Sequence, residues 1–267
     1  MKIRWLGLVL ALCAPAHAQA PSQGDAQKVM ECMRANVPQR LSIKALELTA
    51  FDRTGGSRTL KGRLYAGRDK GAGGRELISA SLHVDLPPEL KGAAYLVKET
   101  DDYLRDGMFV YLPAVKRVRR VTGTFADGAL LGTSFSYFDF KQLQNAFSDV
   151  AAKLEGVADV NGRQSHVLSY TVLEGAETRY TGGRLWVDQE ACVVVKGEFH
   201  EGGGRIAKQF SSPPGALRRA GPTWYLAEGE MREPGAGARS TLRLAKVDTQ
   251  AAVPNRYFDP NLFHLSP

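Results

Sequence analysis

The chain has 267 residues, 43% of them hydrophobic and 24% charged, with a formal net charge of +7. That length suits one large β domain or two small ones, and that balance of apolar and charged residues excludes a disordered chain. No dinucleotide fingerprint, P-loop or Gly-x-Ser-x-Gly elbow occurs, so the common local signatures of nucleotide and acyl-transfer chemistry are missing.

Residues 1–18 read as a secretory signal peptide. Lys2 and Arg4 are the charged lead, Trp5 to Ala14 the apolar core, and Ala16-His17-Ala18 the small-residue cleavage site. Cleavage after Ala20 fits nearly as well. The apolar run is well short of the ~20 residues that a membrane span needs. A lipidation reading at Cys13 would put Leu12 where a small residue is wanted. Loss of Lys2 and Arg4 leaves 33 basic and 28 acidic residues, a net charge of +5. Export sets nucleic acid aside as a partner and favours anionic lipid or another envelope component. Two cysteines remain, Cys32 and Cys192. An even pair in an oxidising compartment predicts a disulfide, and the competing reading is two buried thiols.

Asp25 opens a helical pattern in which Ala26, Val29, Met30, Met33 and Val37 share a face, and Pro38 stops it. The period then changes to two. Residues 41–52, 57–67 and 75–85 read as strands, separated by the turns Thr54-Gly55-Gly56-Ser57 and Gly71-Ala72-Gly73-Gly74. Residues 93–98 and 102–104 read as short strands. Residues 108–112 form a stronger one, ending at Pro113. In the basic stretch that follows, Val115, Arg117, Arg119 and Val121 point one way and Lys116, Val118 and Arg120 the other. Neither face is purely apolar, which predicts an edge strand or a cavity mouth. Two readings stand for its charges: they blunt an edge against aggregation, or they meet phosphate or carboxylate.

A glycine-punctuated loop spans 122–134, and Phe135, Tyr137, Phe138 and Phe140 cluster after it, with a short helix predicted over 138–147. The aromatics suit core packing and a cavity lining equally. Val160-Asn161-Gly162-Arg163 is a hairpin signal. Strands follow at 179–188, 191–200, 205–211, 223–232 and 239–248. The tail VPNRYFDPNLF reads as folding back onto the sheet. About ten strands at hairpin spacing, with a helix at the front and no βαβ alternation, predict a mainly β (α+β) fold. We expect residues 25–267 to form a single domain: one strongly curved antiparallel sheet, a half β-barrel, wrapped around one or more helices.

The histidines downstream of the leader, His83, His166, His200 and His264, lie far from one another and from the cysteines, so no zinc motif is supported. No cofactor is called for. An enzyme is not expected, although catalytic groups scattered in sequence would escape this reading.

The segment Tyr111-Leu112-Pro113-Ala114-Val115-Lys116-Arg117-Val118-Arg119-Arg120-Val121, followed by Gly132-Thr133-Ser134-Phe135-Ser136-Tyr137-Phe138-Asp139, resembles the LolA-like outer-membrane lipoprotein-sorting proteins. Ala35-Asn36-Val37-Pro38 and the stretch from Cys192 to Phe199 are similar to that family too. Lys116 and Phe138 depart from its usual pattern. The resemblance implies an apolar concave face and a carrier in the periplasm of a Gram-negative envelope, holding acyl chains or lipoproteins bound for the outer membrane. It also implies an inner-membrane exporter of the RND type and an outer-membrane acceptor as partners, with only peripheral membrane contact. On that reading Tyr111, Pro113, Phe135, Tyr137 and Phe138 line the cavity and its mouth, and Arg117, Arg119 and Arg120 meet a headgroup. The alternative is an envelope sensor or exporter accessory that uses the basic strand to dock a protein.

Overall fold

A computed structural model describes residues 23–102, 106–143, 150–176 and 178–265. The predicted signal peptide lies outside these residues, as do parts of the predicted elements at 102–104 and 138–147.

The front helix is α1 (Gln23–Ala35). Ala26, Val29 and Met33 are buried along one face, as their spacing of three and four requires. Six strands follow: β1 (Arg40–Phe51), β2 (Ser57–Lys70), β3 (Glu76–Leu86), β4 (Ala94–Lys98), β5 (Gly107–Leu112) and β6 (Arg117–Arg120). Each pairs antiparallel with the next. After α2 (Tyr137–Leu143) come β7 (Val150–Val160), β8 (Arg163–Val172), β9 (Gly182–Asp188), β10 (Val194–Glu201) and β11 (Arg205–Ser211). The small strands β12 (Leu217–Ala220) and β13 (Thr223–Leu226) precede β14 (Glu228–Glu233) and β15 (Ala238–Asp248).

Thirteen of these strands form one sheet in the order β6-β5-β4-β3-β2-β1-β15-β14-β11-β10-β9-β8-β7. β15 closes against β1 and so joins two meanders into a single sheet. Its end strands β6 and β7 are not neighbours, and the sheet stays open. β12 and β13 form a separate hairpin inserted between β11 and β14.

The turn chemistry acts where it was expected. Asn161 and Gly162 both take positive φ, 56° and 79°, the pairing that a two-residue hairpin turn demands. The expected strand over 223–232 is two strands that belong to different sheets, and the expected strand over 115–121 is shortened by a turn through Val115 and Lys116.

The sheet has two covered faces. On the inner face α1 and residues 121–143 pack against Leu64 and Ala66 of β2, Tyr95 and Val97 of β4, and Leu168 and Leu185 farther along the sheet. On the outer face the tail brings Val253, Tyr257, Phe258 and Phe263 onto Tyr65, Leu96, Phe109 and Tyr111. Strands β3 and β4, covered on both sides, are buried almost without alternation, whereas β7 alternates between half-buried and exposed residues along its whole length. Cys32 of α1 is bonded to Cys192, in the turn between β9 and β10, with Cα atoms 5.7 Å apart. Two residues on, Arg34 grips the buried Glu99 carboxylate after β4 at 2.8 and 2.7 Å.

Candidate binding cavity

Against the inner face lies a hollow of about 140 Å³, roughly ten times the room that one water needs. Its floor is Ile43, Leu46 and Leu48 of β1, Leu64 and Ala66 of β2, and Leu242 and Leu244 of β15. A β-bulge between Ile43 and Leu46 puts both on the same face despite their odd spacing. Leu130, Phe135 and Phe140 form one wall, and Phe210 and Val194 contribute to another. The roof is β13, through Trp224, Tyr225 and Leu226, together with Asn36, Val37 and Pro38 at the end of α1. No charged side chain lines the space, and Asn36 and Thr223 are the hydrophilic ones apart from the amphipathic Trp224 and Tyr225.

The Asn36 amide joins roof to helix. Its Nδ2 donates to the Trp224 carbonyl at 2.7 Å, and its Oδ1 accepts from the Trp224 N–H at 2.9 Å. A side chain thus replaces a neighbouring strand along the edge of β13. At the other end, the Ala227 N–H donates to the Ala216 carbonyl and the Leu244 N–H to the Ala227 carbonyl, both at 2.8 Å. The hairpin is therefore secured at its base and latched at one edge.

The wall is held by polar contacts that the sequence pattern did not announce. Ser136 caps α2 by accepting from the Asp139 N–H at 3.0 Å, and Asp139 Oδ2 accepts the Ser136 N–H at 2.7 Å. This reciprocal box accounts for the Ser-x-x-Asp spacing. Lys208 Nζ, reaching from β11, donates to the same carboxylate at 2.8 Å, and the pair is buried. Ser134 N–H donates to Ser240 Oγ at 2.8 Å. Buried ion pairs contribute little net stability but cost several kcal/mol when one partner is removed, so this one fixes position more than it adds strength. Burial raises the phenols of Tyr137 and Tyr95, and Tyr180 likewise, above their ordinary range. They therefore stay neutral at physiological pH.

The predicted site residues are dispersed. Phe135 lines the cavity. Phe138 is buried beside it and packs on Tyr180 with ring centroids 5.8 Å apart, while Tyr137 packs on Tyr95 at 4.9 Å. Neither ring lines the hollow. Tyr111 points to the outer face and stacks on His264 of the tail at 4.3 Å, because Val110 and Leu112, its neighbours on β5, take the inner side. Pro113 sits half-buried in the turn before β6. Arg117, Arg119 and Arg120 are exposed on β6, the short edge of the sheet. By register Arg117 and Arg119 share a face with Leu112 and Val110, the inner one, yet they lie strands away from the hollow. Arg120 Nη2 donates to the Asp106 carbonyl at 3.2 Å. Among the described residues no carboxylate pairs with Arg117 or Arg119. The edge placement agrees with the expectation from their mixed faces. The residues that reasoning from sequence missed are those of β1, β15 and the hairpin. Only the alternation of Leu242 and Leu244 hinted at them.

Among the described residues no group of three or more His, Cys, Asp or Glu side chains could hold a metal ion, and no helix is long and apolar enough to cross a membrane.

A family model with the description "-like: Uncharacterized protein" matches residues 79–264. No curated protein matches the chain. Among solved structures, a putative outer membrane lipoprotein-sorting protein domain from Vibrio parahaemolyticus superposes with a TM-score of 0.79 at 20% identity, over 91% of this chain and 100% of that one. A DUF1329 family protein from Desulfovibrio piger gives 0.76 at 19% identity, over 88% and 97%. A LolA superfamily protein from Nitrosomonas europaea gives 0.66 at 16% identity, over 88% and 97%. At these identities the likeness is one of fold.

Proposed function

Because the chain belongs to a family of uncharacterized proteins, matched over residues 79–264, and shares its fold with an outer membrane lipoprotein-sorting protein domain and a LolA superfamily protein, we propose that it is a periplasmic carrier of acyl chains or lipoproteins, exported by the signal peptide at 1–18 and working as one domain over 25–267. The observation that carries this reading is the uncharged hollow between β1, β2, β15 and the β12–β13 hairpin. Its mechanism is partition, in which no bond is made or broken. Each methylene that leaves water for such a lining gains about 0.8 kcal/mol, so a chain of several carbons binds usefully and a partner that loosens the roof releases it. The Cys32–Cys192 bond suits an oxidising compartment.

A half-barrel bend of the sheet is part of the proposal. β4 and β10 are seven strand-to-strand steps apart in the order, about 34 Å on a flat sheet. Contacts from Glu99, after β4, and Cys192, before β10, nevertheless converge on α1 residues two apart, Arg34 and Cys32. That convergence supports a sheet that curves around its helix.

The test is native mass spectrometry with lipid extraction of protein isolated from the periplasm, joined to uptake of a fluorescent fatty-acyl probe. The expected result is copurified acyl species and saturable uptake. Ligand-free protein that takes up no probe overturns the reading.

One observation favours a second role. Arg117 and Arg119 stand without carboxylate partners among the described residues on an exposed edge, away from the hollow. We assign this edge, with Arg120, to docking an acidic surface of an exporter, acceptor or sensor partner. Charge reversal at Arg117 and Arg119 is then expected to abolish that contact and leave acyl uptake intact.

A further inference from the structure

The sequence motif pointed to β6 as the place where a headgroup would be met, but the hollow lies elsewhere, and its rim has arginines of its own. Arg219 and Trp224 are direct cross-strand partners in the β12–β13 hairpin, so their side chains share one face. Leu217 and Leu226 face each other two residues along and lie on that face too. Leu226 and Trp224 line the hollow. Thr223 and Tyr225, on the other face, line it as well, so Arg219 is tied to the rim of the hollow through Trp224, with its guanidinium 5.2 Å from the centre of that ring and its side chain exposed.

A second guanidinium, that of Arg163, approaches the same ring at 5.9 Å. It is already neutralised: Asp188 accepts from it at 2.5 and 2.9 Å and Glu190 at 3.1 Å. Arg219 has no carboxylate partner among the described residues. Its neighbour Arg218 lies on the other face with Tyr225 and is bonded to the Gly215 and Leu217 carbonyls. Asn36 has both ends of its amide engaged by the Trp224 backbone. The rim therefore offers, among the described residues, one uncommitted cation, held over an aromatic ring that is itself part of the lining.

We propose that this pair is a headgroup seat, and that the cavity takes amphiphiles whose polar end is an anionic oxygen acid, phosphate or carboxylate. The acyl chain enters the apolar hollow, and the anionic head stays at the rim against Arg219. The planar guanidinium presents parallel N–H donors that match such a group. The Trp224 face keeps that plane in position by cation–π contact. The inference rests on the carrier reading above and narrows it to a ligand class.

The experiment compares four C16 probes on the full mature chain by calorimetry: hexadecyl phosphate, hexadecanoate, hexadecanol and hexadecyltrimethylammonium. We expect both anions to bind about tenfold tighter than hexadecanol, the size of one charge-assisted hydrogen bond, and the cation to bind weakest. The phosphate and carboxylate arms separate the two sources of the anionic group. Arg219→Gln is expected to bring the anions to within about threefold of hexadecanol and leave hexadecanol binding unchanged, while Arg219→Lys restores part of the preference. Arg117→Gln with Arg119→Gln is expected to leave all four affinities unchanged. Equal affinity for anion and alcohol overturns the seat and leaves the cavity standing. A preference lost at Arg117 and Arg119 instead of Arg219 also overturns it, as does loss of hexadecanol binding in Arg219→Gln. Failure of every probe to bind overturns the cavity reading and the seat together.

Discussion

The two faces of the sheet handle apolar surface in opposite ways. On the outer face Tyr65, Leu96, Phe109 and Tyr111 form a greasy groove, and the chain fills it with its own tail: Tyr257, Phe258 and Phe263 are buried there. On the inner face Leu46, Leu48, Leu64 and Leu244 form an equally greasy floor, and the chain roofs it with a hairpin without filling it. A polypeptide with aromatic residues to spare on one side has left a hollow on the other. Empty apolar space costs contacts that a filled core would have, and the carrier proposal seats its acyl chain in that space.

The largest effect that would separate the two regions is expected on the filled side. Phe263 is fully buried. Phe263→Ala should lower the unfolding free energy by about 3–5 kcal/mol, the usual cost of emptying a buried phenylalanine site, and denaturant titration measures it. Binding of the C16 probes should stay unchanged. A variant of undiminished stability would mean that the tail merely rests on the sheet.

The filled side should also be acid-sensitive and the hollow should not. His83 packs between Tyr65 and Tyr257 with ring centroids 5.4 and 5.5 Å away. Its Nε2 is 3.1 Å from Ser81 Oγ, with Arg63 and Asp85 as the charges nearby. Burial first, then Arg63, lowers its pKa from 6.5 to about 4. The unfolded chain therefore takes up a proton that the folded chain refuses. The contribution of neutral His83 is complete above pH 6.5, is lost as pH falls from 6.5 toward 4, and levels off below that. The loss is roughly 3 kcal/mol at its limit, since each tenfold difference in proton affinity between the folded and unfolded chain is worth about 1.4 kcal/mol. His83→Gln should flatten that part of the stability profile. An unchanged slope in the variant would assign the acid sensitivity to other groups.

The sequence disclosed the filled side better than the empty one, and the reason is physical. Turns announce themselves locally: Asn161-Gly162 and Gly71-Ala72-Gly73-Gly74 lie in the turns that their chemistry predicts. Helix α1 followed from spacing, and the return of the tail from its aromatics. The disulfide followed from the even pair of cysteines left downstream of the predicted signal peptide. The edge position of β6 followed from charges on both faces. A hollow has no local signal. Its floor joins Ile43, Leu64 and Leu244, which become neighbours only when β15 closes against β1. For its roof the sequence predicts one strand over 223–232, because nothing around Gly221 and Pro222 says that β13 stands outside the sheet that β14 joins. Tyr111 misled for a related reason: a period-two pattern tells which residues share a face and is silent on which face meets the hollow.

A single substitution made on both sides would sharpen the contrast. Leu244→Trp projects an indole into the hollow, and we expect stability within about 1 kcal/mol of the parent because the space is open, with overpacking penalties of about 1–3 kcal/mol kept for filled cores. Probe affinity should fall at least about tenfold, or 1.4 kcal/mol, because the indole occupies the site of the chain. Leu96→Trp, in the filled groove, should reverse both outcomes: a clear loss of stability and intact binding. If Leu244→Trp destabilised as much as Leu96→Trp, the hollow would be no emptier than the groove.

The smallest effect concerns the latch on the roof. Asn36 satisfies the N–H and the C=O of Trp224 together, on the side of β13 away from β12. Asn36→Ala leaves two backbone groups at a half-exposed edge where water can reach them, so the expected cost is about 1 kcal/mol, well below the penalty for burying them unpaired. Asn36→Asp should be worse than alanine, because a carboxylate oxygen would then face the Trp224 carbonyl where the amide donated. Global unfolding would barely register the change, but local opening would. Exchange of the Trp224 amide should quicken about fivefold for each 1 kcal/mol lost, and release of a bound C16 probe should quicken with it if the hairpin is the exit. Faster exchange with an unchanged release rate would show that the roof opens without letting the chain out, and would place the exit at the opposite end of the hollow, by Phe135 and Phe140.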